Sequence, residues 1–283
     1  MSNGSQLTQS SHLRAIAIIQ ARRASSRLPD KVLLDIGGQP MLVRVVERTR
    51  RAKTLDAVVI ATTLDPTDDA IQALCEARDY PFYRGSSLDV LDRYYQAARQ
   101  YEADIVVRIT ADCPLIDPNL IDEAVRAFTG TTGRNALSLA ADSQFHYDFV
   151  ANRLPPPWGR TYPVGLDLEV CSFAGLELAW RQAAQPHQRE HVMPFFYEQP
   201  QRFRILLLTH DPDYGSLRWT VDTPADLELL RQVFARFPGR DNFSWLEVLE
   251  LLQREPELGF INAQVQPKDY RAVDHRLNNP PEE

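Results

Sequence analysis

Cysteine is scarce, with three in 283 residues at Cys75, Cys113 and Cys171. That scatter supplies neither a disulfide framework nor the paired spacing of a zinc site, and it fits a reducing cytoplasm. Apolar runs are short as well. None approaches the roughly 18 residues that cross a bilayer, so no membrane-spanning helix is expected. Met1 to Ser11 are polar and lack the basic and apolar regions of a secretory signal. A flexible leader over residues 1–14 is expected instead. Basic charge is in deficit: the formal net charge is −7 and the pI about 5.5, which argues against a general nucleic-acid surface. Glycine-spaced phosphate loops are missing too, so neither a dinucleotide fingerprint nor a Walker loop is available. No internal repeat and no low-complexity segment stands out.

Against that background one segment is conspicuous. The apolar run Ile16 to Ile19 ends in a short loop that carries Arg22, Arg23, Arg27 and Lys31, with Ser25 and Ser26 among them. The run reads as a strand buried on both faces, as in a parallel sheet. Open α/β sheets bind ligands beyond the carboxyl ends of their strands. A single arginine on such a loop is most simply a solvated surface charge. Four cations together, in an acidic chain, call for an anionic partner, and a polyphosphate is the natural candidate.

The remaining pattern alternates strand and helix. Pro40 suits a first helical position, with Met41, Leu42, Val45 and Val46 on one face through Arg51. Ala57–Thr62 is a second buried strand, and Thr67 to Asp69 open a helix. Pro81–Tyr83 is a short strand, followed by a helix marked by Leu88, Leu91, Tyr95 and Ala98. Ile105–Thr110 is a strong strand, and Asp117 with Pro118 starts the next helix. Further strands are expected over 136–140, 166–170, 203–208 and 217–221. Ser172 caps a helix to about Ala184, Thr223-Pro224 opens another, and a last one covers Ser244–Gln253. The order predicts an α/β fold: a three-layer α/β/α sandwich with a mostly parallel, mixed sheet. One domain over 15–260 is expected, with 140–200 as its substrate-facing and dimerising portion and 261–283 as a polar tail.

Two aspartates close strands in equivalent settings: Asp112 after Val106–Thr110, and Asp222 after Leu217–Val221. Two such carboxylates, with triphosphate oxygens and water, suit the octahedral oxygen preference of Mg²⁺. The metal would stabilise charge on an α-phosphate and a departing pyrophosphate, and the basic loop would hold the other phosphates. These parts describe nucleotidyl transfer without a covalent enzyme intermediate. A helix-starting role is the plainer alternative for Asp222. Cys113 reads as a small apolar residue beneath the site rather than as a nucleophile.

The stretch Gln20-Ala21-Arg22-Arg23-Ala24-Ser25-Ser26-Arg27-Leu28-Pro29-Asp30-Lys31 resembles the signature of sugar-acid cytidylyltransferases, which make the CMP-activated forms of KDO, sialic, pseudaminic and legionaminic acids. The branch named for spore coat polysaccharide biosynthesis protein F is the most similar. Tyr83-Arg84-Gly85-Ser86, Asp89 to Tyr94, Arg108 to Ile116, Tyr162 to Val170, Arg189-Glu190-His191-Val192 and Val221 to Leu227 match its style in the same order, over about residues 15–235. The resemblance implies the nucleotide-diphospho-sugar transferase fold with a seven-stranded sheet, and a homodimer. It implies phosphate contacts from Arg22 and Lys31, with Ala21, Ser25, Ser26 and Arg27 shaping the same nucleotide loop. Arg84 and Arg93 fall in the region that reads the base, and Asp112 and Asp222 match the metal carboxylates. Glu169, Arg189 and His191 fall on the acceptor-sugar side, together with Asp167. Catalysis would rest on Arg22, Lys31 and Asp112.

Two positions depart from the pattern. Asp30 stands where the family usually has glycine, and Met193 where the branch often has threonine. The implied activity is CTP-dependent activation of a sugar acid, with pyrophosphate release, for surface polysaccharide. The alternatives are a glycosyltransferase of the same fold using a finished nucleotide sugar, or a non-catalytic nucleotide-binding protein.

Overall fold

The computed structural model describes residues 12–130 and 145–266. The opening apolar run forms β1 (Ala15–Gln20), and the basic loop leads to a hairpin of β2 (Asp35–Ile36) and β3 (Gln39–Pro40). Then come α1 (Met41–Thr49), β4 (Ala57–Thr63), α2 (Asp69–Arg78), β5 (Phe82–Gly85), α3 (Val90–Gln100), β6 (Ile105–Thr110) and α4 (Pro118–Thr129). The second half contains β7 (Phe149–Ala151), β8 (Glu169–Ser172), α5 (Phe173–Gln182), α6 (Pro186–His191), α7 (Pro194–Tyr197) and β9 (Ile205–Leu207). It closes with α8 (Pro224–Ala235) and α9 (Trp245–Arg254).

Seven strands form one mixed sheet in the order β5-β4-β1-β6-β8-β7-β9. The β5-β4-β1-β6 half is parallel, β8 runs antiparallel to both neighbours, and β9 pairs parallel with β7. Alternation along β1 divides the core. Ala15, Ala17 and Ile19 pack with α1, α2, α4, α8 and α9, while Ile16 and Ile18 pack with α3, α5 and α7. This is the three-layer α/β/α sandwich that the sequence implies. Ile16, Ile18 and Ile19 are wholly buried, each stabilising the fold by roughly 1.5–3 kcal/mol.

The capping signals hold locally. Asp117 accepts from Asn119 N at 2.8 Å, Ser172 from Gly175 N at 3.0 Å, and Thr223 forms a reciprocal capping box with Asp226. Three expectations need correction. Pro40 belongs to β3 and caps α1 from outside, because Gly37 (φ 62°) and Gly38 (φ 85°) turn the chain into a hairpin immediately before it. The strand expected at 166–170 begins only at Glu169, because the Asn152 side chain takes the Leu166 carbonyl and the Leu168 N–H in place of a neighbouring strand.

No strand forms at 217–221; a single bridge joins Arg218 to Val164. Its backbone groups are shared between two different segments, Trp219 N donating to Val164 O at 2.6 Å and Val221 N to Asp112 O at 2.9 Å. That second contact brings Asp222 beside Asp112. Gly165 makes the close approach possible: at φ 107° it lies so near Thr220 N that a Cβ would come within 2.4 Å. The leader through residue 11, the strand expected at 136–140 and the tail beyond 266 lie outside the described residues.

Candidate active site

The loop after β1 and the ends of β6 and the 217–221 segment converge at the carboxyl edge of the parallel strands. At their meeting point stands Lys31. Its Nζ donates to Asp112 Oδ2 at 2.8 Å, Asp222 Oδ1 at 2.8 Å and Val221 O at 2.9 Å. Residues 81 and 191 positions away in sequence are thereby tied to one ammonium. Arg27 reaches the other Asp222 oxygen at 2.9 Å, and Arg218 reaches it at 2.8 Å while also gripping Asp226 at 2.9 and 3.1 Å. The Thr110 hydroxyl donates to Asp112 Oδ1 at 2.6 Å.

The electrostatics follow from this packing. Burial alone would depress the Lys31 ammonium, but the adjacent Asp112 and Asp222 charges outweigh it and the pKa is raised. Burial would likewise raise Asp222, yet Lys31, Arg218 and Arg27 bring it down to about 2. Cys113 is buried, and burial followed by the charges of Asp112 and Asp167 pushes its thiol well up. Such a thiol is an inert packing group rather than a nucleophile.

Asp112 and Asp222 present hard oxygen donors that already converge on one cation, Lys31 Nζ. The ammonium marks a position where a divalent cation of the Mg²⁺ type fits between the same two carboxylates. No cluster of three or more acidic, histidine or cysteine side chains with ligating geometry occurs among the described residues. A metal here therefore draws its other ligands from substrate and water.

The loop itself is pinned from within. Asp30 adopts the left-handed conformation (φ 58°, ψ 12°) in which glycine would be easy. Its carboxylate accepts from Arg23 Nε at 2.7 Å, so its charge is matched within the loop. Arg23 also donates to Thr67 O at 2.7 Å, while its own backbone N–H donates to Asp68. Arg23 is thus a structural strap, whereas Arg27 and Lys31 reach the centre; Arg22 lies 4.0 Å from Glu190 on α6. Ala21 is buried and donates its N–H to Ala61 O; Ser25 and Ser26 lie along the loop surface.

The other sequence-predicted residues make none of these contacts with Lys31 and hold partners of their own. Arg84 ties the 63–72 region together through Thr63 O, Asp65 O, Asp69 and Gln72. Arg93 is 1% exposed, donates to Ser86 O, and is lowered to about 10 by its burial. Arg189 grips Asp89 and donates to Trp180 O at 2.7 Å, which locks α6 onto the start of α3. Glu169 is buried in an ion pair with Arg108. His191 ends α6, next to Glu190. Asp167 is held by Arg160 at 2.9 and 3.2 Å. Sequence reasoning missed Arg218 and Thr110, which hold the two aspartates. The one available signal was the four-residue spacing of Arg218 and Asp222.

Comparison with known proteins places the chain in a family. The uncharacterized protein MJ1063 of Methanocaldococcus jannaschii is 35% identical over 265 residues, covering 93% of this chain and 100% of that protein. Spore coat polysaccharide biosynthesis protein SpsF of Bacillus subtilis is 30% identical over 247 residues, 85% of this chain and 94% of that protein. The solved structure of a cytidylyltransferase from Leptospira borgpetersenii has a TM-score of 0.79 at 30% identity, covering 91% of this chain and 100% of that one. Residues 16–233 match the family model described as cytidylyltransferase, and this chain belongs to that family of nucleotidyltransferases.

Proposed function

We propose that the enzyme transfers the cytidylyl group of CTP to a sugar acid with the aid of Mg²⁺, releasing pyrophosphate, in the synthesis of surface polysaccharide. The observation that carries this reading is the three-way meeting of Lys31, Asp112 and Asp222, flanked by Arg27. Asp112 and Asp222 would hold the metal, which when bound neutralises charge developing across the α-phosphate and the leaving group.

The chain's own cations do the rest. Lys31 and Arg27 stand within one side-chain length of the carboxylates and can exchange them for phosphate oxygens, where negative charge builds as the bond breaks. Arg22 extends the same cradle toward α6. Arg218 stays with Asp226, keeping the Asp222 carboxylate oriented. Ala21, Ser25 and Ser26 give the loop the small side chains that a closely approaching phosphate requires. Arg84 and Arg93 hold the backbone around the base subsite. Glu169, Arg189 and His191 border the acceptor side, the first two through the partners they hold. The protein acts as a homodimer in the cytoplasm on this reading.

Turnover of CTP with Mg²⁺ and a sugar acid is the test, measured for the wild type, Lys31→Ala and Asp112→Asn. Pyrophosphate as product, with both folded variants reduced at least ~100-fold, is expected. Release of a free nucleoside diphosphate from a finished nucleotide sugar would replace this reading with the glycosyltransferase one.

A further inference from the structure

Five charged residues form a second cluster beside the Lys31 centre. Arg108 and Glu169 lie directly opposite one another in the β6–β8 pair, nearly fully buried and ion-paired. Arg160 takes both oxygens of Asp167, at 2.9 and 3.2 Å. Arg153, bridged through its backbone to Arg160, is left over. Its Nε is buried with no hydrogen-bond partner, and its ion-pair contact, Asp167 Oδ2, stands 3.7 Å away, beyond hydrogen-bonding length. Arg108 Nε is also buried without a partner. Buried guanidinium N–H groups rarely go unsatisfied, so these donors call for an acceptor from outside the chain.

The cluster borders the reaction centre. Arg108 Nη2 donates at 3.1 Å to Gln20, the last residue of β1 and the neighbour of the Ala21–Lys31 loop. The Arg153 side chain as a whole remains 27% exposed, although its Nε is buried. Arg108, Arg153 and Arg160 carry three positive charges against the two negative charges of Asp167 and Glu169, a surplus of one. A monoanion balances that surplus; a phosphate dianion overshoots it, and a neutral sugar leaves the guanidinium unpaired at a cost. Arg189, the other cation of this side, is already committed to Asp89 and Trp180.

We propose that Arg153 binds the carboxylate of the acceptor and is the specificity-determining residue that selects an acidic sugar over neutral and phosphorylated ones. This rests on the cytidylyl-transfer reading for the presence of an acceptor at this edge of the sheet. A planar guanidinium fork matches a carboxylate with two parallel hydrogen bonds, which a neutral hydroxyl cannot reproduce.

Calorimetry on protein loaded with an α,β-methylene analogue of CTP tests it. The probes are 3-deoxy-manno-octulosonate, N-acetylneuraminate, pseudaminate and legionaminate, each with its primary amide, against the wild type, Arg153→Gln and Arg153→Lys. At least one acid is expected to bind the wild type. Arg153→Gln should weaken it about 50-fold, the range of a lost charge-assisted hydrogen bond, with partial recovery in Arg153→Lys. Affinity for the CTP analogue and for the amide should stay within about twofold. Equal losses for acid and amide, unchanged acid binding in Arg153→Gln, or no acid bound by the wild type would each overturn the assignment. The two readings fail separately. Pyrophosphate release with an acid indifferent to Arg153 removes this proposal alone. Arg153-dependent acid binding without any pyrophosphate release removes the transferase reading alone.

Discussion

Replacing Lys31 with Met removes one ammonium from between two carboxylates while roughly preserving side-chain volume. In the wild type, Nζ is 2.8 Å from both Asp112 and Asp222, whose side chains are each only 25% exposed. Asp222 is lowered from 3.8 to about 2 despite its burial, with Lys31 first among the charges responsible and Arg218 and Arg27 after it. A displacement of that size is worth about 2 kcal/mol. Since Arg218 and Arg27 remain, the Met variant should lose about 1–2 kcal/mol at pH 7 by urea unfolding. The sign with pH follows from the depressed carboxyl. Its stabilisation is complete above the unfolded value near 3.8 and disappears as the pH falls through about 2. The gap between the two proteins should therefore be constant down to about pH 4, shrink below it, and close only at about pH 2. Turnover should fall by a factor of ~100–1000, the effect of deleting one preorganised donor to developing charge. A folded Lys31→Met protein with wild-type stability at neutral pH and turnover within about threefold would refute the reasoning.

The same geometry makes further predictions. Because the ammonium occupies the position between the two carboxylates, Lys31→Met should bind Mn²⁺ more tightly than the wild type without nucleotide, as read by electron paramagnetic resonance, and Lys31→Met/Asp112→Asn should lose that gain. Gly165→Ala combines a left-handed φ with a backbone clash at Thr220, and should cost about 3 kcal/mol or more in urea unfolding. Glu169→Gln strands the buried Arg108 guanidinium and should cost about 3–5 kcal/mol by the same measure. Asp30→Gly relieves the left-handed strain but frees Arg23, so its Tm should stay within ~3 °C of wild type, whereas Asp30→Val should lower Tm clearly.

The parallel half of the sheet was legible because its strands are buried on both faces and so are written as continuous apolar runs, Ile16–Ile19 and Ile105–Ile109 above all. Caps at Asp117, Ser172 and Thr223 were equally plain, since a short polar side chain before an apolar helix has one local job. The antiparallel half was harder to read. β7 and β9 are three residues each, too short for a period, and the start of β8 is decided by the Asn152 side chain from another segment. The basic loop and both aspartates were visible as residues, but their convergence on Lys31 depends on a contact between Val221 and Asp112 that no local pattern announces. Charge counting by segment also concealed which cations are committed: Arg23, Arg84 and Arg189 are held by partners far away in the chain, while Arg153 lies in a proline-rich loop that offered no motif.

The central claim is cytidylyl transfer at the Lys31–Asp112–Asp222 centre, and pyrophosphate release tests it most directly. CTP, UTP, ATP and GTP should each be offered with Mg²⁺ and the four sugar acids. The account predicts pyrophosphate only when CTP and an acidic sugar are both present, and its loss in Asp112→Asn. Pyrophosphate that persists in Asp112→Asn, or appears with neutral sugars in preference to acids, would contradict it.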